Sequence, residues 1–255
     1  MMYIDMVSLV KRQAALTAAF NAKEPFRYLV LEDFFISERA EEILAAYPAI
    51  KSGTWDGTTY IDQKNKFQQR DFAEGSLFAC VFAELNAPKF LTWLEELTGI
   101  TALTGDPALF GGGLHQSTQG AFLNVHVDYN VHPQTKYHRR LNVLVYLNKD
   151  WQDTYNGHLE LWDMSQKRLL DRIAPTFNRC VIFETNEISY HGHPSLLQTP
   201  AGISRKSIAT YYYTPTRPET ELASDHNTRF VNTEGMAGQL KRFKAGLKAL
   251  LERTC

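Results

Sequence analysis

Between Leu109 and Thr214 the chain runs through "ALFGGGLHQS", "GAFLNVHVDYN", "RRLNVLVYLN", "GHLELWD", "RLLDRIAP", "NRCVIFET" and "SIATYYYTP". These are segments of strand length divided by turn residues, with no helical period between them. About seven or eight strands at such spacing indicate an antiparallel sandwich or barrel, and a double-stranded jelly roll fits best. The expected fold class is therefore α+β, mainly β, with a double-stranded β-helix (jelly-roll, cupin-like) core backed by N-terminal and C-terminal helices.

The flanks supply the helices. A helix is expected from Met6 to Phe20, a strand in "FRYLVLEDFF", and a helix from Glu38 to Ala46 with Ser37 as N-cap and Pro48 closing it. Residues 51–76 are rich in Gly, Thr, Asn, Gln and charge and read as a candidate lid. "SLFACVFAELNAPKFLTWLEELTGI" offers two helical segments, broken around Asn86 to Pro88 and ended by Gly99. In the tail, Leu240, Phe243, Leu247 and Leu250 recur at helical spacing and predict an amphipathic helix docked on the domain. One domain over 1–255 is expected: helical support and lid in 1–105, the jelly roll in 106–216, and the C-terminal helix in 217–255.

With 255 residues and 44% apolar content, the chain can bury a sizeable core. Its 27 Lys and Arg balance 28 Asp and Glu, so no strong field recruits nucleic acid or a membrane surface. Cys80, Cys180 and Cys255 are odd in number and widely spaced, which argues against a disulfide framework. No run of about 18 apolar residues is present. A soluble, cytoplasmic protein acting on a small or neutral partner is expected, with no prior on oligomeric state.

The chemistry concentrates in "FLNVHVDYN", residues 122–130. Strand alternation places Asn124, His126 and Asp128 on one face and Leu123, Val125 and Val127 on the other. A polar inner face is expensive in a core, so it meets either solvent or a site. A lone His-x-carboxylate is weak, and His158-x-Glu160 is a second instance. "ISYHGHP" adds His191, 63 residues after Asp128. Two His and one carboxylate make the three-ligand facial set of non-haem Fe(II) oxygenases, which leaves positions open for a bidentate cosubstrate and dioxygen. His193 is an alternative to His191. Arg205 and Ser207 start a strand two residues apart, share a face and can grip a carboxylate, with Lys206 pointing away. Arg205 is open to a second reading, as a structural ion pair. The triple glycine at 111–113 lacks the ending of a phosphate-binding loop and reads as a turn. His115, His132, His138, His158 and His226 read as surface or packing residues.

On "HVDYN", "RRLNVLVYLNKDW", "GHLELW", "SYHGHP" and "RKSIATYYYT", together with "YLVLEDFFISERAEEILAAYP", the chain resembles the 2-oxoglutarate and Fe(II)-dependent oxygenases of the prolyl 4-hydroxylase-like branch. The resemblance implies His126, Asp128 and His191 as metal ligands. It also implies Asn142, Leu144 and Tyr146 lining the cosubstrate pocket, with Tyr146, Arg205 and Ser207 holding the far carboxylate of 2-oxoglutarate. Departures are the 14-residue interval from His191 to Arg205, Gly157-His158 in place of a Gly-Gly step, and Gln116 where a Tyr is common.

The resemblance implies a hydroxylase using Fe(II), 2-oxoglutarate and O2, with ascorbate as a compatible reductant and succinate and CO2 as coproducts. The retained carboxylate of Asp128 favours hydroxylation, since related halogenases replace it with a small residue. A protein or peptide residue is the favoured substrate, ahead of a free amino acid, metabolite or glycan. A non-catalytic scaffold and a zinc hydrolase are the other readings of the same ligands.

Overall fold

The computed structural model describes residues 2–50, 55–240, 243 and 244. Among the described residues, helices α1 (Met6–Lys11), α2 (Gln13–Asn21), α3 (Ser37–Ala45), α4 (Leu77–Leu85) and α5 (Pro88–Thr98) pack on a sheet of twelve strands. The strands are β1 (Tyr28–Leu31), β2 (Asp56–Tyr60), β3 (Gln63–Gln69), β4 (Thr104–Gly105), β5 (Gly113–Val127) and β6 (His138–Tyr146). The remainder are β7 (Leu159–Asp163), β8 (Arg168–Ile173), β9 (Cys180–Glu184), β10 (Tyr190–His193), β11 (Arg205–Thr214) and β12 (Arg229–Phe230).

All pairings are antiparallel, in the order β1-β9-β6-β11-β5-β10-β7-β8. The ladder closes into a double-stranded β-helix because β5 serves two layers. Its residues 113–117 pair with β11, and its residues 123–126 pair with β10. Between them Gly120 takes φ 74°, where a left-handed turn suits glycine, and the Gly120 amide donates to Leu197 O. The two strands expected from 108–117 and 120–130 are thus one bent strand.

Alternation on β6 divides the core. Leu141, Val143 and Val145 face the helices with Phe34, Phe82, Phe90, Trp93 and Leu97, while Tyr146 joins Tyr28, Leu161, Val181 and Phe183 inside the roll. Each such side chain contributes about 1.5–3 kcal/mol on burial. Ser76 caps α4 through Ala79 N, and Gly99 closes α5 in the left-handed conformation at φ 73°. Among the described residues no single helix is long and apolar enough to cross a membrane.

Several expectations are corrected. The first helix breaks at Arg12, giving α1 and α2. Ser37 is the first residue of α3 rather than its cap, because Ile36 holds the cap position with its amide donating to Tyr3 O. The polar stretch 51–76 contains the hairpin β2–β3, and β3 pairs along the outer edge of β5. Every residue of β3 is half-buried, so it needs no apolar stripe and its composition imitates a loop. Gly112 and Gly113 serve close approach: a Cβ on Gly112 would lie 2.8 Å from Ala209 O, and one on Gly113 would lie 2.3 Å from Gln69 O. In the tail, residues 235–240 are helical, but Leu240 and Phe243 are exposed instead of docked. Leu247 and Leu250 lie outside the described residues.

β10 and β5 also approach closely, at Gly192. A Cβ on Gly192 would stand 2.9 Å from the carbonyl oxygens of both Leu123 and Asn124. Gly192→Ala is expected to destabilise the protein by about 1–3 kcal/mol, as overpacking does, measured as a shift of the urea midpoint without a change in slope.

Candidate active site

The β10–β5 register sets His191 directly opposite His126, with ring centroids 4.4 Å apart. Asp128 follows β5 by one residue. His126 Nε2 lies 3.6 Å from Asp128 Oδ1, and His191 Nε2 lies 3.5 Å from Asp128 Oδ2. One ligand atom from each residue falls within 4.8 Å of the others, and among the described residues this is the one such cluster of His, Cys, Asp or Glu. His193 lines the same cavity but stands outside the cluster.

Backbone geometry selects which ring nitrogen faces the cluster. His126 Nδ1 is 2.8 Å from Asn124 O, and His191 Nδ1 is 2.9 Å from Ser189 O. Carbonyls only accept, so each Nδ1 carries the proton and each Nε2 presents a lone pair to the centre. Burial pushes His191 down to about 4, which keeps it neutral near pH 7. Burial alone would raise Asp128, yet Arg139, then His191 and His126, hold its carboxyl well below the usual range.

Two bulges depart from strict alternation. On β5 three residues from Leu123 to His126 span what two residues span on β10, so Leu123 rather than Asn124 shares the cavity with His126. Asn124 instead donates to Asp62 Oδ1 at 2.9 Å, which corrects its expected place beside His126. On β6, Tyr212 and Tyr213 of β11 face Leu141 and Arg139, leaving Arg140 as the extra residue. That bulge brings Arg139 and Asn142, three apart in sequence, onto Asp128 together: Arg139 Nη2 is 3.0 Å and Asn142 Nδ2 2.7 Å from Oδ2.

From the three-residue cluster the cavity runs past Asn142, Leu144 and Leu159 to Tyr146, Arg205 and Ser207. Arg205 is buried, donates through Nε to Gly157 O at 2.6 Å and through Nη2 to Tyr146 Oη at 3.2 Å. Gly157, at φ 73°, suits glycine, and a Cβ there would stand 2.4 Å from a Leu197 methyl, which would have to shift. Among the described residues no carboxylate lies within ion-pair distance of Arg205, so the structural ion pair weighed for it is not found. A buried guanidinium without a protein counter-ion fits an anionic ligand. The donor set of two imidazoles and one carboxylate, with this clamp at the far end, fits Fe(II) with 2-oxoglutarate.

Three basic residues at the cavity are not among the sequence-based site residues. Lys66 reaches the cavity from the hairpin, and burial lowers its ammonium to about 8. His115, read as surface or packing, is a buried cavity residue whose Nε2 has no hydrogen-bond partner. Arg139 was hidden by its bulge. By contrast His132 is structural, its Nδ1 accepting from the Gln134 and Thr135 amides and its Nε2 lying 3.3 Å from Asp106.

The cluster also opens outward, between the hairpin and a strap over residues 224–231, past Gln63, Gln68, Tyr129, Tyr211, Thr228 and Phe230. The strap is held by Ser224 O on Asn130 Nδ2, by His226 and Arg229 on Glu187, and by β12 pairing with Val127 and His126.

Residues 112–213 match the family model described as the 2OG-Fe(II) oxygenase superfamily. Over that stretch the chain is similar to that superfamily. It is 27% identical over 163 residues to prolyl 3-hydroxylase OGFOD1 of Mus musculus, a match that takes in 61% of this chain and 28% of that relative's length. Its fold is shared with a prolyl hydroxylase from Trichoplax adhaerens solved in complex with a hypoxia inducible factor peptide fragment (TM-score 0.57, 16% identity, 82% of this chain and 93% of that one). A Pseudomonas putida prolyl-4-hydroxylase has the same architecture (TM-score 0.52, 17% identity, 78% of this chain and 98% of that one).

The low value of His191 has a thermodynamic signature. The unfolded chain takes up a proton near 6.5 that the folded site refuses until about 4, so the metal-free protein loses stability as pH falls through that window. The expected loss is at most about 3 kcal/mol, absent above pH 6.5. Urea midpoints from pH 7.5 to 4.5 test it: the slope should flatten in His191→Asn.

Proposed function

We propose that this chain is an Fe(II)- and 2-oxoglutarate-dependent dioxygenase that hydroxylates a C–H bond of a protein or peptide residue in the manner of prolyl hydroxylases, releasing succinate and CO2. The observation that carries the reading is the buried, carboxylate-free Arg205 at one end of a cavity whose other end holds His126, Asp128 and His191. Iron with 2-oxoglutarate and O2 supplies the oxidising power for C–H cleavage. His126 and His191 offer Nε2 and Asp128 a carboxylate oxygen to the metal. Arg205, Tyr146 and Ser207 hold the far carboxylate of the cosubstrate, Asn142 and Leu144 wall its length, and burial excludes water from the pocket.

The peptide substrate is supported by the relatives, a prolyl 3-hydroxylase and prolyl hydroxylases, one of them solved with a peptide. One observation favours a second reading, a small polar metabolite or glycan: β12 narrows the mouth, with the Phe230 ring 5.1 Å from that of His126. A reducing cytoplasm suits a ferrous enzyme with unpaired Cys80 and Cys180, and ascorbate would keep its iron ferrous.

Anaerobic titration with Fe(II) and 2-oxoglutarate tests the reading. A weak visible charge-transfer band is expected in the wild type and not in His126→Ala. Arg205→Ala should bind metal normally and weaken 2-oxoglutarate by about 30-fold or more, the worth of a charge-assisted pair of hydrogen bonds. No band from folded, metal-loaded wild type would refute the function, and unchanged 2-oxoglutarate affinity in Arg205→Ala would refute the clamp. Succinate release in the presence of prolyl peptides against free polar metabolites then separates the two substrate readings.

A further inference from the structure

Arg139 is fully buried in the wall beside the metal cluster. Its guanidinium lies 3.6 Å from the ring centroid of Tyr211 and 4.5 Å from that of Tyr129. Both rings are fixed: Tyr211 Oη donates to Gly111 O at 3.0 Å, and Tyr129 Oη bonds Phe110 O at 3.1 Å and Tyr213 Oη at 2.6 Å. Within this cage Nε and Nη2 donate to Asn142 Oδ1 at 3.0 and 2.8 Å, and Nη2 also reaches Asp128 Oδ2. Asn142 turns its Nδ2 to the same Oδ2. The three residues form a closed triangle.

The triangle treats the two oxygens of Asp128 differently. Both reach the centre, Oδ1 toward His126 and Oδ2 toward His191, at nearly equal distances. Oδ2, however, receives two N–H donors, one of them cationic, whereas Oδ1 faces the His126 Nε2 lone pair at 3.6 Å. A carboxylate that chelates through both oxygens fills one more metal position than one that binds through a single oxygen. A metal that must also take a bidentate cosubstrate and dioxygen has none to spare. Hydrogen bonds to one oxygen lower its electron density and leave the other as the better donor.

We propose that Arg139, acting with Asn142, is a positioning residue that confines Asp128 to single-oxygen coordination through Oδ1 and so keeps the adjoining metal position open for 2-oxoglutarate. This rests on the metal centre assigned above. A buried Arg is costly to desolvate, and a merely structural one would be equally well served by bonds shared over both oxygens. The aromatic cage fixes the plane of the guanidinium, which is what directional bonding to one oxygen requires.

The test uses the full chain, loaded anaerobically with Co(II) or Fe(II), in wild type, Arg139→Met, Arg139→Lys and Asp128→Ala. Wild type is titrated first, and failure to bind metal would refute the centre itself rather than this role. Arg139→Met should retain Co(II) within about 10-fold of wild type, lose about 10- to 100-fold in 2-oxoglutarate affinity, and show altered Co(II) absorption and a shifted or absent Fe(II)–cosubstrate band. Arg139→Lys, which keeps a cationic donor, should recover part of the affinity. Unchanged 2-oxoglutarate affinity and spectra in Arg139→Met, even with a lowered melting temperature, would overturn the proposal. Loss of Co(II) as complete as in Asp128→Ala would also overturn it, since Arg139 would then be needed for metal binding as such. If Arg139→Met does not fold, Asn142→Leu is read instead against the same two outcomes.

Discussion

The site depends on one backbone register, the pairing of β10 with β5 that sets His191 opposite His126. Two imidazoles on adjacent strands can converge only when their residues share a face and a rung, and a slip by one residue would turn one ring out of the cavity. Several features hold that rung. Gly192 lets the backbones close, β7 supports β10 from its other side, and carbonyls at Asn124 and Ser189 fix both ring orientations. Asp128 needs no strand of its own. It leaves the end of β5 already aimed at the rung and is held there from β6.

Charge is arranged along the cavity with the same economy. A single carboxylate, Asp128, faces Arg139 at one end, while Arg205 at the other meets only neutral oxygens. Lys66 and His115 stand between them, both depressed by burial. The interior is thus short of negative charge, which matches a cosubstrate carrying two carboxylates. Helices α1 to α5 contribute none of the cavity-lining side chains. They cover the outer face of β6, β9 and β11.

Much of this was legible in the sequence because it obeys simple periods. The β runs, the break at Asn86 to Pro88, the inward set Asn142, Leu144 and Tyr146, and the Arg205–Ser207 pair all follow alternation or helix punctuation, and the structure places them as expected. What was illegible breaks the period. The bulge on β5 carries Asn124 off the face of His126, and the bulge at Arg140 delivers Arg139 to it; an inserted residue leaves no mark in composition. The hairpin β2–β3 was hidden for a different reason. Its strand β3, half-buried throughout, presents the mixed polar sequence of a loop, so Lys66 could not be placed at the cavity. The tail shows the reverse error, since helical spacing of Leu240 and Phe243 does not say that a partner surface lies beneath them.

The hairpin and the strap over residues 224–231 share a property that the inner strands lack. The hairpin lies on the outer edge of β5 by main-chain pairing, and the strap by a short ladder together with the Glu187 ion pairs, whereas His126, His191, Arg205 and Ser207 sit on inner strands of the roll. Substitutions in these two segments away from Lys66 can remodel the doorway while the inner cavity keeps its geometry. On the proposed function, such a molecule would carry its selectivity and its reactivity largely in separate stretches of chain, and a lineage built on it could change what it acts upon without relearning how to act.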